Sequence, residues 1–224
     1  MELIEYADAD MMLIALASAL SRDLRSALAR RERVLLCLPG GTTPGPVFEM
    51  LAAVELEWAR VDIVPSDERW LPHDHPRSNA GQIRQRLLHG PAAAAQLLPM
   101  WREGANPSEA AEAMGDTLKP LLPIDVALLG MGADGHVASL FPGAAGLDRA
   151  FADDAPPVVA FDAVPGQPEA RLSLSVPVLR KAFSLHLLIT GQDKRDTLER
   201  ASGADPLDLP VAAVLGQASV HWSE

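Results

Sequence analysis

The residues best suited to chemistry lie in one glycine-rich run, Gly130-Met131-Gly132-Ala133-Asp134-Gly135-His136-Val137-Ala138-Ser139-Leu140-Phe141-Pro142-Gly143. It sets Asp134 and His136 two residues apart. An imidazole held in a glycine turn beside a carboxylate is a candidate general base. Asp134 either orients the His136 ring or caps the turn. Gly130, Gly132 and Gly135 also satisfy the dinucleotide pattern G-x-G-x-x-G, with Asp153 at a suitable distance for a ribose hydroxyl. That reading is excluded on two grounds. Pro142-Gly143 stops any helix after about two turns, too short for a dinucleotide crossover. The strand before the run is also late in the chain rather than first.

Two further segments carry chemistry. Pro39-Gly40-Gly41-Thr42-Thr43-Pro44 joins a predicted strand to a predicted helix. Its glycines permit close backbone approach, Thr42 or Thr43 is expected to cap the helix, and exposed N–H groups there would receive an anion. The segment from Ser66 to His89 holds Arg69, Arg77, Arg84 and Arg86 against Asp67, Glu68 and Asp74. It is therefore locally cationic, and arginine can clamp a phosphate through paired hydrogen bonds. Ser78 is expected to cap the helix that follows it. His73-Asp74-His75 is read as a solvated loop, since no other ligand cluster supports a metal. Arg171 begins a later strand, and Lys194 follows Thr190-Gly191 at a helix start. Lysine is scarce here, 3 against 16 arginines, so its position carries weight. The alternative is a surface helix charge near Asp193.

These residues need a frame that brings strand ends together. Short apolar runs at 34–38, 61–64, 124–129, 157–161, 171–176 and 185–190 have strand character. Helical patterns fall between most of them, at 8–31, 44–53, 78–88, 107–119 and 192–201. Leu16, Leu20, Leu24 and Leu28 make one stripe of the first helix. The alternation predicts an α/β fold, a mostly parallel sheet covered by helices on both faces. In such a fold the site lies outside the carboxyl ends of the strands. The joints at Pro156-Pro157 and 165–168 read as surface loops, so 1–224 is taken as one domain.

Composition narrows the partners. Among 224 residues, 30 acidic and 19 basic side chains give a net charge of −11. A globule this acidic repels nucleic acid and anionic membranes. The single Cys37 lies in an apolar strand and excludes an intramolecular disulfide or a multi-cysteine zinc site. The apolar stretch from Met11 to Leu20 is preceded by Glu2, Glu5, Asp8 and Asp10 and by no basic residue. It does not read as a secretory signal, and no run is long enough to span a bilayer. A cytoplasmic protein is expected, acting as a monomer or weak dimer.

The residues quoted resemble the 6-phosphogluconolactonase family over nearly the whole chain. The carriers are Gly40-Gly41-Thr42-Thr43-Pro44, Asp67-Glu68-Arg69 with Ser78-Asn79, and the long run from Leu129 to Gly143; weaker ones are Arg171-Leu172-Ser173 and the Gly191 to Lys194 step. The resemblance implies a Rossmann-like three-layer α/β/α sandwich. It implies hydrolysis of 6-phospho-D-glucono-1,5-lactone to 6-phospho-D-gluconate, with no metal and no other cofactor. By position, His136 corresponds to the base that activates water. Arg69, Arg171 and Lys194 correspond to phosphate or substrate ligands, and Gly40, Gly41 and Thr42 to backbone donors. Asp67, Ser78, Asn79 and Gly132 complete the expected substrate-binding set. Asp67 would position water, bind a hydroxyl or hold Arg69.

Related deaminases of amino-sugar phosphates carry Glu where Phe141 stands and Tyr where Arg69 stands. Both departures favour a lactonase over an aldose–ketose isomerase or deaminase. A non-catalytic sugar-phosphate sensor would need a DNA-binding helix pair, for which the chain has no spare basic segment. Lactone hydrolysis also needs an oxyanion stabiliser, for which N–H groups of the 130–135 loop are the candidates. No serine sits in a nucleophile elbow, so water is expected to attack directly. The expected site is a small cationic pocket in an acidic shell.

Overall fold

A computed structural model describes residues 1–162 and 167–224. In chain order the strands are β1 (Glu2–Glu5), β2 (Val34–Leu38), β3 (Val61–Pro65), β4 (Asp67–Arg69), β5 (Gln96–Leu97), β6 (Val126–Gly130), β7 (Val158–Phe161), β8 (Arg171–Leu174), β9 (Ser184–Thr190) and β10 (Ala218–Ser223). The helices are α1 (Ala9–Leu28), α2 (Gly45–Ala52), α3 (Asn79–Leu87), α4 (Pro107–Leu118), α5 (Leu147–Phe151), α6 (Val176–Arg180), α7 (Gln192–Ala201) and α8 (Ala212–Leu215).

Seven strands form a parallel sheet in the order β1-β10-β9-β6-β2-β3-β5. Period-two alternation divides its core. Along β2, Leu35 and Cys37 belong to one apolar cluster, and Val34, Leu36 and Leu38 to the other. The second cluster takes up the α1 stripe with α2 and α3; the first takes up α4, α6, α7 and α8. Leu16, Leu20 and Leu24 are fully buried, each contributing roughly 1.5–3 kcal/mol of apolar burial. Asp8 caps α1 by accepting from Met11 N at 2.7 Å.

The strands expected at 157–161 and 171–176 do not join this sheet. As β7 and β8 they pair antiparallel with each other, and β8 pairs antiparallel with β4 on its other side, forming a second sheet in the order β4-β8-β7. The chain swivels at Ser66, whose N–H bonds Leu38 O and whose carbonyl receives Leu174 N–H. The swivel sends Asp67–Arg69, which lies outside the strands expected from sequence, into the small sheet. The 165–168 joint lies partly outside the described residues.

A largely buried polar chain runs between α1 and the strands β9 and β10. His186 bonds Asp23 Oδ2 through Nε2 and His221 through Nδ1, each at 3.0 Å. Tyr6 Oη bonds the far nitrogen of His221 at 2.8 Å. Burial, with His186 alongside, pushes the His221 pKa down to about 4. No described helix is long and apolar enough to cross a membrane.

Candidate active site

Strands β9, β6, β2 and β3 are successive neighbours in the parallel sheet, so their carboxyl ends share one edge. Sheet order reverses between β2 and β6, the position at which open α/β sheets bind ligands. A cleft of about 340 Å³ opens there. It is lined by Gly40, Gly41, Thr42, Asp67, Arg69, Asn79, Gly132, His136, Arg171 and Lys194. Ten of the twelve residues singled out from sequence thus converge. Asp134 and Ser78 do not line the cleft; each supports a residue that does.

The base candidate is held from two sides. Asp134 Oδ1 lies 2.5 Å from His136 Nδ1 and also accepts the His136 backbone N–H at 3.2 Å. The aspartate therefore both orients the ring and caps the turn. This hydrogen bond holds the Asp134 carboxyl below its usual range. With Nδ1–H directed at the carboxylate, Nε2 carries the lone pair of the neutral ring. On the other side Phe141 stacks on the imidazole, centroids 4.2 Å apart and planes 30° apart. The turn needs Gly135 in the left-handed region (φ 81°). It also needs Gly132 bare, because a Cβ there would fall on His136 and Asp134.

The cations arrive by strand register. In the small sheet Arg69 lies directly opposite Arg171, and Asp67 opposite Ser173, so these four share one face. Like charges directly opposite each other are destabilising, and an anion placed between the two guanidinium groups would relieve that repulsion. Arg171 is 4% exposed. Its guanidinium lies 3.9 Å from Asp67 Oδ2 and 5.6 Å from the Phe141 ring centre. Burial pulls the Arg171 pKa below its ordinary value; Asp67 opposes that pull and Arg69 adds to it. Its buried Nε has no partner among the described residues. Lys194, at the start of α7, makes no ion pair with a described residue, and burial lowers its pKa.

Asp67 does not hold Arg69. It accepts from Ser139 Oγ at 2.6 Å and Ser66 Oγ at 2.9 Å. Arg69 Nη1 is held instead by Asn79 Oδ1 at 2.6 Å and Arg77 O at 3.0 Å. Two backbone expectations also need correction. Neither Thr42 nor Thr43 caps α2: Pro44, already in helical conformation, is the capping residue and no side-chain cap forms. Gly41 N–H is taken by Gln82 Oε1 at 2.9 Å, so it is not a free anion donor. In the 130–135 loop, Gly132 N–H bonds His136 O and Gly135 N–H bonds Gly132 O. Both shape the turn, which removes them as oxyanion donors. Ser78 caps α3 as expected, accepting from Gly81 N–H at 3.1 Å, but it is fully buried and does not reach the cleft.

Sequence reasoning missed Glu68, Ser139 and Phe141 as members of the site's support. Glu68 is fully buried, and burial pushes its pKa up to about 7 against the pull of the backbone N–H groups of Ala80 and Asn79. No local sequence signal marked it, because its strand forms only by pairing with β8.

The fold and cleft define an α/β protein whose sheet switch point carries a cleft lined by cationic side chains and by an imidazole oriented by a carboxylate. Comparison with known proteins narrows this class. The profile of the family described as glucosamine-6-phosphate isomerases/6-phosphogluconolactonase matches residues 7–222, and the chain belongs to that family. A 6-phosphogluconolactonase of Pseudomonas aeruginosa is 41% identical over 92% of this chain and 88% of its own length. One of Pseudomonas putida is 38% identical over 97% of this chain and 91% of its own. A crystal structure of a 6-phosphogluconolactonase from Shewanella baltica superposes with a TM-score of 0.94 at 29% identity, covering 100% of this chain and 97% of that one.

Proposed function

We infer that the chain hydrolyses 6-phospho-D-glucono-1,5-lactone to 6-phospho-D-gluconate, a step of the oxidative pentose phosphate pathway, as its relatives' names indicate. The observation that carries the mechanism is the hydrogen bond between Asp134 and His136, the second of which lines a cleft together with Arg69, Arg171 and Lys194. His136 Nε2 takes a proton from water as the oxygen attacks the lactone carbonyl. Asp134 keeps the ring in the required tautomer and supports the imidazolium that forms. Collapse of the tetrahedral intermediate breaks the ring ester bond, and the proton passes from His136 to the departing ring oxygen. Arg69, Arg171 and Lys194 hold the phosphorylated substrate in place, and the unpartnered Arg171 Nε is a ready donor to a substrate oxygen. We place the enzyme in the cytoplasm.

The test is His136→Ala, assayed on freshly generated lactone with the enzyme-free opening rate subtracted. Loss of the base should lower kcat by about 10²–10⁴-fold. A variant within a few-fold of wild type would refute the assignment. Phe141 packs on the imidazole where the related deaminases carry an acid, so release of ammonia from an amino-sugar phosphate is not expected.

A further inference from the structure

The mechanism leaves one buried acid unused. Glu68 is fully buried and has no cationic partner among the described residues. Its two oxygens instead receive four neutral donors. Oε1 accepts from Arg69 N at 2.9 Å and Asn79 N at 2.7 Å. Oε2 accepts from Ala80 N at 2.8 Å and Ser78 Oγ at 3.0 Å. Two of these donors belong to the first turn of α3, and Ser78 at the same time caps Gly81 N–H.

This arrangement has two consequences. The amino end of α3 is already occupied by an anion from within the protein, so it has no N–H groups left for a ligand. Asn79 is also fixed at both ends. Its backbone rests on Glu68, its side-chain Nδ2 donates to Asp67 O at 2.8 Å, and its Oδ1 receives Arg69 Nη1 at 2.6 Å. Glu68 thus grips Arg69 twice, through its own backbone N–H and through Asn79.

We propose that Glu68 is a positioning residue that pre-sets the Arg69 guanidinium for substrate by locking the start of α3 to β4. The proposal rests on the reading of Arg69 as a substrate ligand. A carboxylate is required because all four partners donate. In Glu68→Gln the shape is kept, but the amide NH2 replaces one acceptor oxygen. Placed at Oε2, it meets the Ala80 N–H donor to donor; placed at Oε1, it meets those of Arg69 and Asn79.

The experiment is a double-mutant cycle of Glu68→Gln and Arg69→Ala, assayed at pH 8. Glu68→Gln should raise KM for the phosphorylated lactone about tenfold with kcat within threefold, the pattern of lost substrate positioning. KM for D-glucono-1,5-lactone, which lacks the phosphate, should stay within about twofold of wild type. In the Arg69→Ala background the added effect should vanish, because both changes remove the same interaction. General structural damage would instead add in full and affect both lactones. If Glu68→Gln does not fold, Ser78→Ala removes one donor to the carboxylate and should show the same non-additivity with a smaller rise. Additive effects, or an unchanged KM in the Glu68 variant, overturn the proposal alone. An unchanged KM in Arg69→Ala overturns the reading of Arg69 and the proposal with it.

Discussion

Replacing Gly132 by alanine adds one methyl group at the point where the turn that carries Asp134 and His136 is tightest. Gly132 does not have a positive φ, so alanine fits the backbone and the consequence is purely one of contact. The new Cβ would lie 2.5 Å from Asp134 Oδ1 and closer still to His136 Cε1 and Nδ1, all inside the 3.0 Å that real Cβ atoms respect. Restoring ordinary contact moves the imidazole by about 1 Å, and a displacement of that size can cost about 10²-fold in rate. That corresponds to roughly 2.7 kcal/mol of lost transition-state stabilisation. His136 and Asp134 side chains are 28% and 51% exposed, so both can swing outward without opening the core. The change in folding stability should stay below about 1 kcal/mol. The assay is blank-corrected initial hydrolysis of fresh lactone beside a thermal melt. Gly216→Ala, with nothing within 4 Å of its added Cβ, is the control and should match wild type. A folded Gly132→Ala enzyme retaining kcat within threefold would show that His136 is not held where the reaction needs it. In a His136→Ala background the same methyl group should have little further effect.

Gly40→Ala probes the substrate side in the same way. Its Cβ would collide with the Asn79 carboxamide, whose Nδ2 would be 2.9 Å away. The Arg69 guanidinium should lose its anchor, and KM should rise about tenfold with a smaller change in kcat, measured by steady-state kinetics. Acid stability follows from the buried histidine chain. His221 is held neutral with a folded pKa of about 4 against an ordinary 6.5. The folded state therefore binds fewer protons than the unfolded chain between those values. Its contribution is complete above pH 6.5 and is lost as pH falls through 4, up to about 3 kcal/mol. Thermal melts across that window should show the decline, and His221→Asn should flatten it; an unchanged slope would refute the account.

The elements with regular apolar spacing were legible from sequence. The α1 leucines and the β2 run are each dictated by their own spacing, and α7 was placed residue for residue. What could not be read was long-range pairing. The Ser66-Asp67-Glu68-Arg69 stretch has no apolar alternation, so nothing local marks it as a strand. It becomes one only because β8, about a hundred residues later, supplies the ladder. The opposition of Arg69 and Arg171 is a product of that register. The same holds for Glu68, three of whose four donors are the backbone N–H groups of Arg69, Asn79 and Ala80. Backbone donors have no sequence signature, so a buried acid satisfied by them looks like any surface acid. The glycine-rich motif was legible because its chemistry is local: Asp134, His136 and the turn that joins them lie within a few residues.

The cleft draws its proposed base from one sheet and its arginines from another, and the two meet at Ser66. This division bears on how such a site diversifies. The charge and spacing of the ligand-holding face are written in β4 and β8, which can vary in side chain or register while the loop after β6 stays intact. A lineage can therefore change what it grips without rebuilding how it reacts. Conversely, replacing Phe141 alters the surroundings of the base with the arginine pair still in register. The scaffold separates selection on recognition from selection on reactivity, so each can be revised while the other is conserved.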